Sequence, residues 1–236
     1  MMNAEKARKC FYKPDKYNND VRFLSMIEDV VKPDSHVLDA GAGEGDSFPY
    51  DLKEQVKEMV GIDLDPRVES NQRLHRGIRS DLTSIPCDDD YFDVVFSRYV
   101  FEHIADPQVF LAEIYRVLKP GGLLLFLTPN KWHYVSLAAR LTPYAFHNWY
   151  NRLRGRKSED TFTTLYKLNS ISDIRRELSQ AGFNQKIIIL RECCPNYLTF
   201  SWPSFLLGVV YERIVSSFRI LECIRVNIIG VAEKPN

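Results

Sequence analysis

The chain has 236 residues, with 31 basic and 31 acidic side chains and a formal net charge of zero. That length suits one large domain with room for an appendage, and its core needs no staples. Without a basic excess the chain is not a general nucleic-acid binder. Five cysteines in no regular spacing make neither a disulfide framework nor a zinc site.

The start, MMNAEKARKC, carries charges but no apolar h-region, so the expected location is the cytoplasm. Asp20 to Val31 places Val21, Leu24, Ile27 and Val31 on a helical stripe behind an Asn19 cap. HVLDA (36–40) is a short apolar run that stops at a glycine cluster. Asp46 to Gln55 reads as a helix, EMVGI (58–62) as the next strand and FDVVFS (92–97) as another. Pro107 to Leu118 is an amphipathic helix with proline suited to its first turn, ended by Lys119-Pro120-Gly121-Gly122. LLLFLT (123–128) is an almost wholly apolar strand. Ser170 to Ala181 is a helix closed by Gly182, and Phe183–Leu190 and Val226–Ala232 are final strands. Runs apolar on both faces and separated by helices predict a parallel sheet covered on both sides. Residues 131–169 read as an insertion over the carboxyl-end face of that sheet, where open α/β sheets bind ligands. Residues 195–222 are an extra helical segment of the same single domain, 1–236. The stretch from Cys193 to Tyr211 has no charge, but Pro195, Pro203 and Gly208 make it a poor membrane span. A helix after Pro203 can cap the domain, form a homodimer contact, or dock on a membrane surface.

The strongest signal is Val37-Leu38-Asp39-Ala40-Gly41-Ala42-Gly43-Glu44-Gly45, in which a strand enters, three glycines alternate and a helix leaves. Glycine serves where the backbone turns sharply and a ligand approaches the main chain. Twenty residues past Gly43, Asp63 ends the EMVGI strand, where a carboxylate accepts both hydroxyl protons of a ribose. Asp81 comes where a further strand ends, placed to accept from an adenine amino group while Leu82 packs on the ring. The loop reads GxGxG, not the GxGxxG of a dinucleotide fingerprint. Residues 36–65 hold eight acids against two lysines. Acidic surroundings disfavour a phosphate and suit a cationic ligand, such as a sulfonium nucleoside.

VLDAGAGEG, GIDLDP, SDLTSIPCDDDYFDVVFSRYVFEHIADPQVFLAEIYRVLKPGGLLLFLTPN and the late AGF together resemble a class I S-adenosylmethionine-dependent methyltransferase. The likeness is close over Val21–Asn130 and looser in the final third. It implies a Rossmann-like α/β fold of seven mostly parallel strands with the last antiparallel, helices on both faces and a helical insertion over the active-site end. It also implies S-adenosylmethionine as cofactor. Asp39, Gly41, Gly43 and Gly45 would then surround the methionine and ribose, and Asp63 would bind the ribose hydroxyls. Leu64 would border the adenine, Asp81 and Leu82 would hold its edge, and Ser97 and Arg98 would lie near the methionine end. Ala42 stands where small-molecule members more often have cysteine.

Methyl transfer from a sulfonium is an in-line displacement in which positioning does most of the work, while a hydroxyl acceptor gains from a general base. His103, just past the FDVVFS strand, is the candidate base, with a packing role as its alternative. His133 and Tyr134 are candidate substrate contacts. Lys131 to Lys157 holds six basic and no acidic residues, interleaved with aromatics such as Trp132, Tyr144 and Trp149. It suits a lid over an anionic or sugar substrate, a surface for membrane headgroups, or a solvated helical face. The stretch Asp160-Thr161-Phe162-Thr163-Thr164-Leu165-Tyr166-Lys167 resembles a DTFxxxYR-type segment of bacterial methyltransferases found with surface-polysaccharide synthesis, with lysine for the final arginine. Thr161, Phe162 and Tyr166 would then line the acceptor pocket. The resulting reading is an enzyme that methylates an oxygen of a small molecule or glycan intermediate, cytoplasmic or peripheral at the inner membrane. A cofactor-binding scaffold without turnover and a nicotinamide-dependent oxidoreductase are the alternatives.

Overall fold

The computed structural model describes residues 11–12, 18–45, 50–141, 163–195, 198 and 201–236. Its central feature is a seven-stranded sheet. The strands are β1 (His36–Ala40), β2 (Glu58–Asp63), β3 (Arg76–Arg79), β4 (Phe92–Arg98), β5 (Leu118–Pro129), β6 (Asn184–Arg191) and β7 (Asn227–Glu233). Their order across the sheet is β3-β2-β1-β4-β5-β7-β6, and the pairs β1–β2, β1–β4, β2–β3 and β4–β5 are parallel. β7 runs antiparallel beside β5, since Gly121 N donates to Lys234 O (2.8 Å) while Asn130 N donates to Val226 O (2.8 Å). The fold is therefore the α/β arrangement expected, last strand included.

The strand that enters the glycine loop is buried from Val37 to Ala40, and β4 buries Val94, Val95, Phe96 and Ser97. Both are covered on two faces, which is why they read as unbroken apolar runs rather than alternating ones. The helices are α1 (Asn19–Glu28), α2 (Pro107–Val117), α3 (Tyr134–Leu141), α4 (Ile171–Gln180) and α5 (Trp202–Ser217). In α2, Asp106 accepts from Gln108 N and Val109 N (3.1 and 3.2 Å) with Pro107 at the first turn. One face, Phe110, Leu111, Ile114 and Val117, goes fully into the core, worth about 1.5–3 kcal/mol per side chain.

Three local expectations change. The cap of α1 is Asn18, whose Oδ1 accepts from Asp20 N (3.0 Å); the Asn19 side chain instead donates to Asn227 Oδ1 (2.9 Å). Of the helix expected over Asp46–Gln55, residues 46–49 lie outside the described residues, and only Lys53–Gln55 forms a short 3-10 turn. Tyr50 and Leu52, 2% and 0% exposed, turn inward there and break the pattern. Lys119–Gly122 belong to β5 and not to a helix end. Phe92 lies opposite Leu118 while Val94 lies opposite Leu123, so the four residues bulge out of the strand.

The chain packs as two compact units, one of residues 23–128, 165–189 and 228–236, the other of residues 1–22, 129–164 and 190–227. The first holds the sheet core, with Phe23, Ile27, Met59, Phe96 and Leu125 at its centre. The second has its own small cluster of Tyr12, Cys194, Phe205 and Val209. Asn130 organises its backbone, donating to Cys223 O and Arg225 O (2.7 and 2.8 Å) and accepting from Trp132 N (3.1 Å). Among the described residues no helix is long and apolar enough to cross a membrane.

Candidate active site

The loop after β1 holds Gly41, Gly43 and Gly45 at φ of 93°, 51° and 88°, all in the left-handed region. Asp63, at the end of β2, closes it. One carboxylate oxygen accepts from Gly43 N (2.9 Å) and the other from Asp65 N (2.9 Å), which leaves further lone pairs on each for a ligand. A Cβ built on Gly43 would meet nothing nearer than Asp63 Oδ2 at 4.0 Å. That face of the loop is open beside a half-buried carboxylate. The other side is latched. Asn71 Nδ2 donates to Gly43 O (3.2 Å), Arg73 Nε donates to Gly45 O (2.8 Å), and a second Arg73 nitrogen donates to Tyr50 O. Asn71 and Arg73 carry no motif signal, lying 23 to 28 residues past their partners and reaching them only through the β2–β3 connection.

Asp39, 5% exposed, accepts from Tyr50 Oη (2.6 Å). Burial pushes its carboxyl up to about 7, against the opposing pulls of the Tyr50 hydrogen bond and the Arg98 charge. Glu102, on the short turn Phe101–His103, is also pushed up to about 7 by burial. Both groups take up protons on folding above the ordinary carboxylate range. Their stabilisation is complete below about pH 4 and lost as pH rises through 7. The thermal midpoint of the ligand-free protein therefore falls by about 4 °C or more between pH 5 and pH 8, and Asp39→Asn flattens that slope. Scanning calorimetry across this window checks it; a midpoint that rises with pH contradicts it. The carboxylates with lowered values, Asp65, Asp93 and Glu113, act below the window.

The carboxyl end of β4 gathers the second group. Ser97 is fully buried, and among the described residues its hydroxyl has no hydrogen-bond partner. Arg98 lies over the Tyr99 ring at 5.2 Å, and its charge acts on both Asp39 and Glu102. Tyr99 is held at φ 57°, a strained conformation for a non-glycine residue. Glu102 Oε2 accepts from Thr128 Oγ1 (3.3 Å), which accepts from Asn169 Nδ2 (2.7 Å). The Glu102 carbonyl takes the N–H groups of Leu165 (2.6 Å) and Tyr166 (3.2 Å), and Tyr166 is itself at φ 54°. His103 follows, half-buried, its N–H donated to Val100 O (2.8 Å). Tyr166 is thus tied to Glu102, the residue before His103, though 64 positions apart.

On the other side of β1, Asp63 O accepts from Ser80 N (3.1 Å), which brings Asp81 and Leu82 to the same sheet end. Asp81 is exposed, and its Oδ1 accepts from Thr83 N and Thr83 Oγ1 (2.8 and 2.7 Å). Leu82 is buried and Leu64 is 55% exposed.

His133 and Tyr134 sit in the second compact unit. His133 is 2% exposed and caps α3, its Nδ1 accepting from Val135 N (3.3 Å). That leaves Nε2–H directed at Glu192 Oε2, 4.0 Å away. Burial holds His133 down to about 4 and pushes Glu192 up to about 7, disfavouring the charged form of each. Tyr134 is half-buried, its ring 5.0 Å from that of Tyr211. Thr161, Phe162 and most of the basic Lys131–Lys157 stretch lie outside the described residues.

A carboxylate with spare lone pairs, an open glycine face and an orphaned buried hydroxyl suit a polyhydroxylated nucleoside. The acids around it suit a cationic one. Among the described residues no group of histidine, cysteine and acidic side chains could hold a metal ion.

Residues 38–126 match the family model described as a methyltransferase domain. The chain is similar to a malonyl-[acyl-carrier protein] O-methyltransferase of Serratia marcescens, 35% identical over 100 residues, which are 41% of this chain and 39% of that protein. It is also similar to a ubiquinone biosynthesis O-methyltransferase of Maricaulis maris, 29% identical over 210 residues, 89% of this chain and 67% of that one. The chain thus spans about two fifths of the length of the first of these relatives. In fold it is similar to geranyl diphosphate C-methyltransferase from Streptomyces coelicolor, solved with Mg2+, geranyl diphosphate and S-adenosyl-L-homocysteine. The TM-score is 0.56 at 14% identity, covering 89% of this chain and 79% of that one. None of these three is a nicotinamide enzyme.

Proposed function

The chain belongs, through residues 38–126, to the class I S-adenosylmethionine-dependent methyltransferases, and from that premise we propose that it methylates an oxygen of a small-molecule or glycan-intermediate acceptor. The observation that carries the reading is the Asp63 carboxylate clamped between Gly43 N and Asp65 N at the open face of the glycine loop. S-adenosylmethionine, when bound, supplies an activated methyl carbon on a cationic sulfur. Asp63 would bind its ribose hydroxyls, Asp81 its adenine amino group and Leu82 the ring edge. Asp39, Ser97 and Arg98 would hold the methionine end, Ser97 with a buried hydroxyl that no described residue engages. With an already activated carbon, positioning can supply roughly 7–11 kcal/mol of the barrier.

The choice of oxygen rests on His103. A hydroxyl nucleophile must lose a proton, and a half-buried imidazole at the carboxyl edge of β4 can take it. Tyr166, tied to the Glu102 carbonyl, would border the acceptor beside it; Thr161, Phe162, His133 and Tyr134 remain proposed acceptor contacts on the sequence pattern alone. Two of the relatives to which the chain is similar are named for O-methylation. A cytoplasmic protein in peripheral contact with the inner membrane completes the reading.

His103→Ala lowers turnover about 10²–10⁴-fold while leaving cofactor affinity unchanged, as read by labelled methyl transfer into a glycan extract beside calorimetry. Full turnover in that variant removes His103 from the mechanism. The same calorimetry tests the cofactor: S-adenosylmethionine and S-adenosylhomocysteine bind and NAD does not. Folded protein that binds neither of the first two defeats the proposal, and protein that binds both yet labels nothing is a scaffold.

A further inference from the structure

Helix α5 (Trp202–Ser217) is turned with its polarity reversed. Its inward face carries Ser204, Gly208 and Glu212 beside Phe205, Val209 and Val215, all buried. The Glu212 side chain, 2% exposed, is satisfied there by Tyr12 Oη (3.2 Å) and Ser216 Oγ (2.9 Å). The outward face carries Leu206, Leu207, Val210 and Ile214, 37%, 69%, 54% and 46% exposed. At 100° per residue these four fall within an arc of roughly 100°. The apolar strip continues past the helix end in Phe218 (58%) and Ile220 (84%). At the other end Phe11, 41% exposed, packs on Trp202 with ring centroids 6.5 Å apart. A continuous exposed strip of this kind marks an interaction surface rather than scattered surface hydrophobes.

Charge selects the occupant. From Ser201 to Leu221 the only charged residues are Glu212, which is buried, and Arg213 and Arg219, which are exposed. The compact unit that bears α5 holds sixteen lysines and arginines against eight acids, while the other unit holds fifteen against twenty-three. A second copy meeting this face would set one net charge of +8 against another. An anionic bilayer offers the complement to both parts, acyl chains for the strip and headgroups for the arginines.

We propose that α5 is an interfacial helix that seats this unit on the surface of an anionic phospholipid bilayer, with Leu206, Leu207, Val210 and Ile214 in the acyl boundary. The helix lies in the plane of the interface; it does not span. This deepens the membrane contact of the proposed function and is independent of the methyl-transfer chemistry.

The test is co-sedimentation of the full chain with vesicles of equal phosphatidylglycerol and phosphatidylcholine, and with phosphatidylcholine alone. Partition is expected to be at least about tenfold stronger on the anionic vesicles and to fall with added salt. In the double variant Leu207→Glu, Val210→Glu it falls at least about tenfold. Both positions are exposed, so circular dichroism and S-adenosylmethionine affinity stay at the wild-type values. No binding of the wild type to anionic vesicles overturns the proposal, as does equal binding by the double variant. A wild-type dimer in sedimentation velocity that the double variant dissolves assigns the face to a second copy and overturns it too. Because cofactor affinity is read separately, loss of vesicle binding and failure of the methyltransferase reading are distinct results.

Discussion

Replacing Asp63 by alanine lowers the affinity for S-adenosylmethionine by at least about a hundredfold while the chain stays folded. Two hydrogen bonds from ribose hydroxyls to an ionised carboxylate are worth about 1.5–3 kcal/mol each, which sets the scale of the loss. A second contribution comes through the loop. Gly43 N–H donates a hydrogen bond to Asp63 Oδ2, and without that acceptor the loop loses the anchor that fixes its open face. Asp63→Asn is not a mild version. Both oxygens already accept from backbone N–H groups, of Gly43 and of Asp65, and an amide nitrogen placed at either would face a donor with a donor. Asparagine therefore loses most of the same affinity. Calorimetric titration of both variants, with circular dichroism as the fold control, checks this. Asparagine binding within threefold of wild type would show that the carboxylate charge and its two acceptors are not what holds the cofactor.

Asp63 is also where the sequence spoke most clearly. The strand–glycine loop–strand spacing depends on local geometry alone, so the 20-residue interval from Gly43 translates directly into the contact seen between Gly43 N and Asp63. The inner strands β1, β2, β4, β5 and β7 were legible for a related reason: doubly covered strands are mostly apolar, and each is short enough that no helix competes. The edge strand β3, RGIR with both ends exposed, lacks that apolar run and was expected only as a strand ending before Asp81. Three kinds of feature were not legible. Asn71 and Arg73 latch the loop from behind because the β2–β3 connection folds back over it, and no short motif records such a return. Lys119-Pro120-Gly121-Gly122 has the composition of a helix stop, yet the chain absorbs it as a bulge inside β5. In α5 the run of leucines and valines announced apolar area without saying which side faced in. Val209 and Val215 are buried, but Leu206, Leu207, Val210 and Ile214 are not, because Glu212 finds its partners inside.

Gly77→Ala is expected to give the largest loss of stability among single methyl additions near the site. Gly77 lies on β3 opposite Gly61 of β2. A Cβ there would stand 1.9 Å from the carbonyl oxygen of Val68, 2.7 Å from its carbon and 3.1 Å from Glu69 Cα. These are backbone atoms of the 3-10 turn Pro66–Ser70, so no side-chain rotation relieves the overlap. The turn cannot drift away freely, since Val68 is fully buried and Asp65 caps the turn by accepting from Arg67 N (2.9 Å). Gly41 is a useful contrast. There the added Cβ would meet Val100 Cγ2 at 2.2 Å, a methyl group that can swing aside, although φ of 93° remains costly for alanine. At Gly77 the overpacking costs about 3 kcal/mol, a fall in thermal midpoint of roughly 6–12 °C for a chain of this size. The displacement also has a direction. Pushing the turn off β3 moves Asn71, the residue just past it, whose amide holds the Gly43 carbonyl. The surviving folded fraction of Gly77→Ala should therefore bind S-adenosylmethionine more weakly, although residue 77 is not among those that would touch the cofactor. Scanning calorimetry and titration below the lowered midpoint measure the two effects together. A midpoint within about 2 °C of wild type means the turn yields without resistance, and the coupling from β3 to the glycine loop then falls with it.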